Sequence, residues 1–376
     1  MNVKLKYSFV FILVLIMASH IQAQGGRLGY TTYYFSDSGN NTVVTTAFEL
    51  AKNIFNRTTF LLDIELDNIT VAPITAVTGA TRPSRHANKP FKKTRGQVIL
   101  GLQSNLTPST SLSASAYHSQ EIDYVSNSLI GSISKEFFQK NTTLSLRAQY
   151  MDDLVGKIED DGSITNKGRY TGWAAFSYDQ LLSPVTVLSL SYDILYYEGL
   201  LSDPYRKVMV FDPFNTFTIV DEKHPKERLR QSVTGKLSTF LTPIQASVNG
   251  SYRFYFDDWG VQSHTGDVQF NKYIFTDFVI RFNYRYYTQT KANFSRAIYV
   301  GEEYMDNEYR TSDYKLNPFN SNNFGLSFTF LLRALSSSQT TMEFLENSSI
   351  ELRYFRYFND LEFSANIWQL NINFSI

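Results

Sequence analysis

Six side chains invite a chemical reading before any fold is assigned: Arg253, Arg281, Arg285, Asp203, Arg206 and Asp257. A guanidinium is a permanent cation whose forked donors match carboxylates and phosphates. Arg253 stands between Tyr252 and Phe254, Arg281 between Ile280 and Phe282, and Arg285 between Tyr284 and Tyr286. In an extended segment, successive side chains point to opposite faces. The three cations therefore share one kind of face and the large apolar groups the other, so they are candidate ligand contacts in a water-filled channel. Asp203-Pro204-Tyr205-Arg206-Lys207 joins a turn-forming pair to a cation that can bind a carboxylate. It reads either as a ligand-contacting loop or as an inward loop that plugs a mouth and is held by salt bridges. Asp257-Asp258-Trp259-Gly260 reads as a tight hairpin tip. Two adjacent carboxylates share a proton or hold a cation only where a turn makes them converge. The plainer reading is a polar tip with its Trp at a membrane interface. Asp203 and Asp257 are the expected partners of the three arginines, at least two of which should be paired, because clustered cations repel unless solvated or neutralised.

Other chemistry finds little footing. The five histidines, His20, His86, His118, His224 and His264, show no zinc-ligand spacing, and there is no cysteine. No nucleophile elbow, phosphate loop or dinucleotide fingerprint occurs. Asp152 and Asp153 with His118 are the one set from which a wall-mounted hydrolase could be assembled. No metal or cofactor is expected. Acidic residues gather in the stretches expected to be loops: Asp152, Asp153, Glu159, Asp160, Asp161, Asp221, Glu222, Glu302, Glu303, Asp306 and Glu308. They could concentrate cations at a mouth, bind divalent ions bridging lipopolysaccharide, or simply be solvated.

The elements that must position these residues are strands. Alternation with period two recurs from residue 27 to the end, with no helical period of useful length. Sixteen segments are expected: 27–36, 42–52, 58–67, 94–104, 109–119, 126–137, 141–151, 168–180, 185–197, 228–240, 243–256, 261–271, 274–289, 320–333, 346–356 and 362–376. In the last, Trp368, Leu370, Ile372, Phe374 and Ile376 suit hydrocarbon, while Gln369, Asn371, Asn373 and Ser375 suit water. An aromatic near the end of a terminal strand fits the signal read by outer-membrane insertion machinery. A charged Arg facing lipid at mid-bilayer costs roughly 2–4 kcal/mol, so Arg253, Arg281 and Arg285 should face the lumen. Even-numbered connections are mostly short and carry Thr107-Pro108, Ser183-Pro184 and Thr242-Pro243. The long ones, 68–93, 152–167, 198–227 and 290–319, are all odd. Short turns at one end and long loops at the other is the asymmetry of a transmembrane antiparallel up-and-down β-barrel. The Ser-rich stretch 334–345 breaks the rule and leaves fourteen strands open.

The beginning of the chain supplies an address. Lys4 and Lys6 precede ten apolar residues, Phe9 to Ala18, and a small-residue site ending at Ala23. This is the layout of a cleaved secretory signal, and ten apolar residues are too few for a helical span, which needs about 20. Its removal leaves a single domain, 24–376, of 353 residues, with 33 Lys and Arg against 35 Asp and Glu. A chain so near neutrality has no bulk attraction for nucleic acid. The 30 Phe, 25 Tyr and 3 Trp are interleaved with polar residues, and the mean hydropathy is −0.24. That suits a wall with lipid on one side and water on the other.

Four stretches are more specific: Thr78 to Arg85, Leu201 to Val208, Tyr252 to Thr265 and Arg285 to Gln289. Together with Tyr309 to Leu316 they resemble a bacterial family known as domain of unknown function 3570, over nearly the whole mature chain. The resemblance implies an outer-membrane barrel of a Gram-negative cell with no established activity and no catalytic residues. It also implies neighbours in an envelope system: periplasmic flavin-transfer and thioredoxin-like redox components and a small lipoprotein. The expected function is a porin-like channel, export or scaffold component. Its expected partners are outer-membrane lipid, lipopolysaccharide and the barrel assembly machinery. An outer-membrane hydrolase or a structural surface protein are the alternatives. Conductance in planar bilayers separates the first class from the others, and a convergent triad on the wall would favour an enzyme.

Overall fold

The computed structural model describes residues 25–71, 91–159, 161–306, 308–333 and 345–376. In chain order the strands are β1 (Gly26–Asp37), β2 (Thr42–Phe55), β3 (Thr58–Val71), β4 (Phe91–Thr107), β5 (Thr110–Gln120), β6 (Tyr124–Phe137), β7 (Thr142–Ile158), β8 (Ile164–Ser183) and β9 (Thr186–Gly199). There follow β10 (Lys207–Phe211), β11 (Phe217–Asp221), β12 (Glu227–Leu241), β13 (Ala246–Asp257), β14 (Gln262–Phe275), β15 (Phe278–Gln289), β16 (Tyr299–Val300), β17 (Phe319–Leu331), β18 (Ser349–Asn359) and β19 (Ser364–Ser375). Sixteen of these close into one antiparallel barrel, and β11, β10 and β16 form a separate three-stranded sheet. The barrel strands correspond one for one with the sixteen read from the alternation. Fourteen is excluded, because β17 and β18 on either side of 334–345 are both wall strands.

Closure joins the two ends of the chain. β1 pairs with β19 from Arg27 opposite Ser375 to Asp37 opposite Ala365. The sheet therefore has no free edge, which matters in hydrocarbon, where an unpaired backbone group costs several kcal/mol.

The wall is apolar outside and polar inside. Leu129 is 68% exposed and Leu146 50%, whereas Ser119, Ser126, Ser232 and Ser327 are almost wholly covered by the longer side chains around them. Inward hydroxyls and amides satisfy one another across strands, as in Ser113–Ser132 at 2.7 Å, Ser145 to Ser134 at 2.9 Å and Gln149 to Ser128 at 2.8 Å. On the last strand Trp368 is 47% exposed and Asn371 only 8%. Asn373 lies opposite Gly29 and Ser349, and Phe374 opposite Leu28. An Asp at 374 enters the lipid face and an Asp at 373 the wet one. Phe374→Asp is thus expected to lower the amount of heat-modifiable barrel far more than Asn373→Asp. Equal surface levels of the two variants would count against this facing.

Thr107-Pro108, Ser183-Pro184 and Thr242-Pro243 all lie at the end of the barrel that carries the termini. One expected loop is corrected: 152–167 is mostly wall, because β7 runs to Ile158 and β8 begins at Ile164, leaving a short turn. The expected leader 1–23, the first family motif at 78–85, and His20 and His86 lie outside the described residues.

Candidate functional site

At the end opposite the termini, two long connections fold together. Residues 200–226 carry β10 and β11, while 290–318 carry β16, a short helix α1 (Glu303–Asp306) and a 3-10 turn (Tyr314–Leu316). β10 alternates locally, with Val208 and Val210 buried and Lys207 and Met209 exposed. The Asp212 carboxylate accepts from the backbone of Phe214 and Thr216 and so fixes the turn into β11. The parallel pairing of Val210 with Tyr299 and of Phe211 with Val300 brings in the second connection. Val208, Val210 and Tyr299 then pack with Val220 and Tyr304.

This small sheet is fastened across the mouth. The Tyr205 hydroxyl donates to Asp123 at 2.8 Å and accepts from the Ile158 amide at 3.0 Å. On the other side the Tyr314 ring lies 6.4 Å from that of Phe363. Asp123 adjoins β6 and Phe363 adjoins β19, six places apart the shorter way round the sixteen-strand ring. Arg206 binds Asp313 at 2.8 Å and approaches Asp203 at 3.7 Å, tying one connection to the other. The plug reading of the Asp203–Arg206 segment is therefore the one its contacts match. A third support is the hairpin at Asp257. Trp259 is not at a membrane interface, as its sequence suggested. It is 5% exposed, donates from Nε1 to the Glu227 carbonyl at 2.9 Å, and packs with Val261, Ala292 and Leu316. A neighbouring apolar cluster from the second connection explains the difference.

The plug encloses a carboxylate–imidazole pair. Glu222 has no exposed side-chain surface and accepts from the Thr311 hydroxyl at 2.6 Å, the Ser312 amide at 3.2 Å and the Asp203 amide at 3.1 Å. His224 Nε2 lies 3.3 Å from Glu222 Oε1, and its Nδ1 lies 3.1 Å from the Leu201 carbonyl. Both ring nitrogens thus face acceptors, and the ring packs edge-on against Trp259. Burial pushes the Glu222 carboxyl up, but hydrogen bonding and charge from His224, the Thr311 hydroxyl and Arg206 outweigh it and hold the group at about 2 instead of the usual 4.5. Asp203 shifts the other way, raised by burial despite the Tyr205 amide and Arg206.

A depressed carboxyl contributes its stabilisation fully above pH 4.5 and loses it as pH falls towards about 2. The size is about 3 kcal/mol. Protonation of Asp203 works in the opposite sense. The plug is expected to loosen on acidification through that window, seen as rising conductance, and Glu222→Gln should flatten the response. A native conductance unchanged from pH 6 to 3 would contradict this.

Beneath the plug the lumen wall carries most of the other predicted residues. Arg281 binds Glu351 at 2.8 Å and Asn271 at 2.8 Å, over the buried Ser327. Arg285 binds Asp267 at 3.0 Å. Both point inward, as does Arg253, opposite Thr234 and Thr265, which pairs with no carboxylate among the described residues. Two of the three are paired, as expected, but the expected partners are corrected. Asp257 belongs to Arg228, whose Nε reaches it at 3.0 Å, and Asp203 belongs to Arg206. Asp257 stands four residues along the strand from Arg253, roughly 13 Å at strand rise, whereas Arg230, two residues from Arg228, is its cross-strand partner. Asp258 instead accepts from the Leu229 amide, so the adjacent carboxylates do not converge.

Sequence reasoning passed over Arg228, Arg230, Arg147 and Arg169. The parity rule used for the other arginines would have turned these inward too. Arg169 donates to the fully buried Asp153 at 2.9 Å and to the Tyr124 hydroxyl at 2.8 Å. The hydrolase set does not assemble. His118 bonds Asn127 at 2.8 Å on the outer face, while Asp153 faces the lumen.

A family model described as protein of unknown function (DUF3570) matches residues 17–163 and 157–375. No curated protein matches the chain by sequence. Solved structures with a similar barrel include Pseudomonas aeruginosa OpdK with vanillate, at 8% identity and a TM-score of 0.46, covering 94% of this chain and 98% of that one. The CymD monoaromatic hydrocarbon channel matches at 8% and 0.44, covering 94% and 88%. Acinetobacter baumannii OccAB3 matches at 11% and 0.45, covering 95% and 100%.

Proposed function

We propose, from the premise that the chain belongs to the DUF3570 family, that it is a channel in the outer membrane of a Gram-negative envelope, gated by its own loops. Its leader is removed after Ala23 during export. The observation that carries the reading is the combination of a polar lumen inside an apolar wall with a plug held across the mouth by a few ion pairs and hydrogen bonds. The lumen is lined with Arg281, Arg285, Arg353 and their carboxylates, a polar surface that water and a polar solute can wet. Burying charges without pairing is costly, and pairing them along a wetted wall keeps water and solute inside. The plug is fastened by contacts weak enough to exchange, in contrast to the continuous ladder of the wall. Small solutes pass when it shifts.

Solute flux through proteoliposomes tests the reading. The native barrel should give slow passage of small polar solutes, above that of empty vesicles. Absence of passage from both the native barrel and a barrel lacking the plug contacts would overturn it, as would recovery of the mature chain from the soluble periplasm.

A further inference from the structure

Four consecutive wall strands, β7, β8, β9 and β12, build a second feature below the plug. Arg147, Arg169 and Arg230 line an open cavity of about 600 Å³ together with Trp173 and Tyr197. Register assembles it. Gln149, Trp173, Leu195 and Arg230 form one row across the four strands, and Met151, Thr171, Tyr197 and Arg228 form the next. Arg169 lines both this cavity and the one between plug and wall.

Within this lumen, pairing with a carboxylate is the rule for arginine: Arg95, Arg169, Arg228, Arg281, Arg285 and Arg353 all obey it. Arg147, Arg230 and Arg253 do not, among the described residues, and only the first two share a cavity with aromatic rings. Arg147 lies over the Trp173 ring at 5.3 Å and Arg230 over the Tyr197 ring at 4.9 Å. Arg230 Nε is buried with no acceptor. The inward carboxylate directly across from Arg230, Asp257, is taken by Arg228, and Asp193, one row away, takes only a 3.5 Å contact from Ser232. A buried guanidinium donor without an acceptor is costly, and a ligand oxygen relieves that cost. Guanidinium forks match a carboxylate, and two aromatic rings beside them give a flat apolar platform.

We propose that this cavity binds small carboxylates with a flat, unsaturated body, held by Arg147 and Arg230 against Trp173 and Tyr197. The volume falls within the usual range for small-molecule sites, about 300–1,000 Å³. The proposal rests on the channel reading, since the cavity lies on the route just inside the plug, and it names the class of solute that route favours.

The test is binding of benzoate to the full mature barrel in detergent, by calorimetry and by indole fluorescence. Of the three tryptophans, Trp368 faces outward and Trp259 is 5% exposed in the plug cluster, so quenching by benzoate in the native protein reports Trp173. Saturable benzoate binding is expected. Acetate, which lacks the ring, and benzyl alcohol, which lacks the charge, should bind at least roughly tenfold more weakly, as should inorganic phosphate. Arg147→Gln and Arg230→Gln should each weaken benzoate roughly tenfold. Arg147→Lys/Arg230→Lys, which keeps charge and loses the fork, should fall between native and the glutamine variants. Absence of saturation and quenching in the native barrel overturns the site whatever the variants do, and so does phosphate binding as tight as benzoate. Binding without benzoate flux into proteoliposomes keeps the site and removes the channel reading. Flux without saturable binding does the reverse.

Discussion

Deleting residues 203–207 is expected to raise the ion conductance of the reconstituted barrel severalfold, the largest functional change any short deletion in this chain should produce. The segment supplies the Tyr205 hydroxyl that reaches Asp123 and Ile158 on one wall. It supplies Arg206, which reaches Asp313 on the other long connection. It also supplies the Asp203 amide that caps Glu222. Removing it breaks the fastening at one end of the plug and strips one of the donors that keep Glu222 satisfied, while no wall strand loses a residue. The barrel should therefore remain heat-modifiable while its mouth opens. Tyr205→Phe removes only one hydroxyl and should give a smaller rise. A native pore already wide open, or a conductance indifferent to the deletion, would end the plug interpretation.

Arg228→Ala should be the most destabilising single substitution at the rim. The Arg228 side chain is 9% exposed and that of Asp257 is fully buried. The guanidinium also lies 4.1 Å from the Trp259 ring centre, tying the wall to the cluster beneath the plug. Truncation leaves a buried carboxylate with only the Tyr255 hydroxyl at 2.6 Å and the Val261 amide at 2.9 Å. Breaking one side of such a pair costs about 3–5 kcal/mol. The temperature at which the folded band converts to the unfolded one in gels should fall clearly. Arg228→Ala/Asp257→Asn should recover part of the loss, since it removes the stranded charge. A native-like transition for Arg228→Ala would show that the pair is solvated and not structural.

The wall was legible in the sequence because lipid and water impose opposite demands on adjacent residues. Alternations such as Phe278 to Tyr287 carry strand, facing and register parity together. The inward placement of Arg281 and Arg285 followed from that alone. An inward loop held by salt bridges was one reading of Asp203 to Arg206, but the sheet it belongs to was not legible. β10 and β11 are five residues each, and the third strand of their sheet, β16, comes from a connection about 90 residues away. Strands so short leave no measurable period, and a partner so distant leaves no local trace. The same reason misplaced Trp259: an aromatic at a hairpin tip looks alike in sequence whether it meets lipid or a folded loop. Arg147 and Arg230 were legible by parity, but their lack of partners becomes visible only once four strands stand side by side.

The pairing of β1 with β19 carries a consequence for assembly. Thr31 hydrogen-bonds Asn371 across a separation of 340 residues, so the seam is among the most non-local contacts the chain can make. Loop-closure entropy opposes such a contact until nearly everything between its ends is in place, and non-local pairing slows folding. Every intermediate before the seam forms is an open sheet with two rows of bare amides and carbonyls, a species lipid rejects and a neighbouring chain would accept. The chain thus depends on being held until its final strand arrives. Loss of the twelve-residue β19 would remove not one sixteenth of the wall but the condition under which the other fifteen strands can reside in a bilayer.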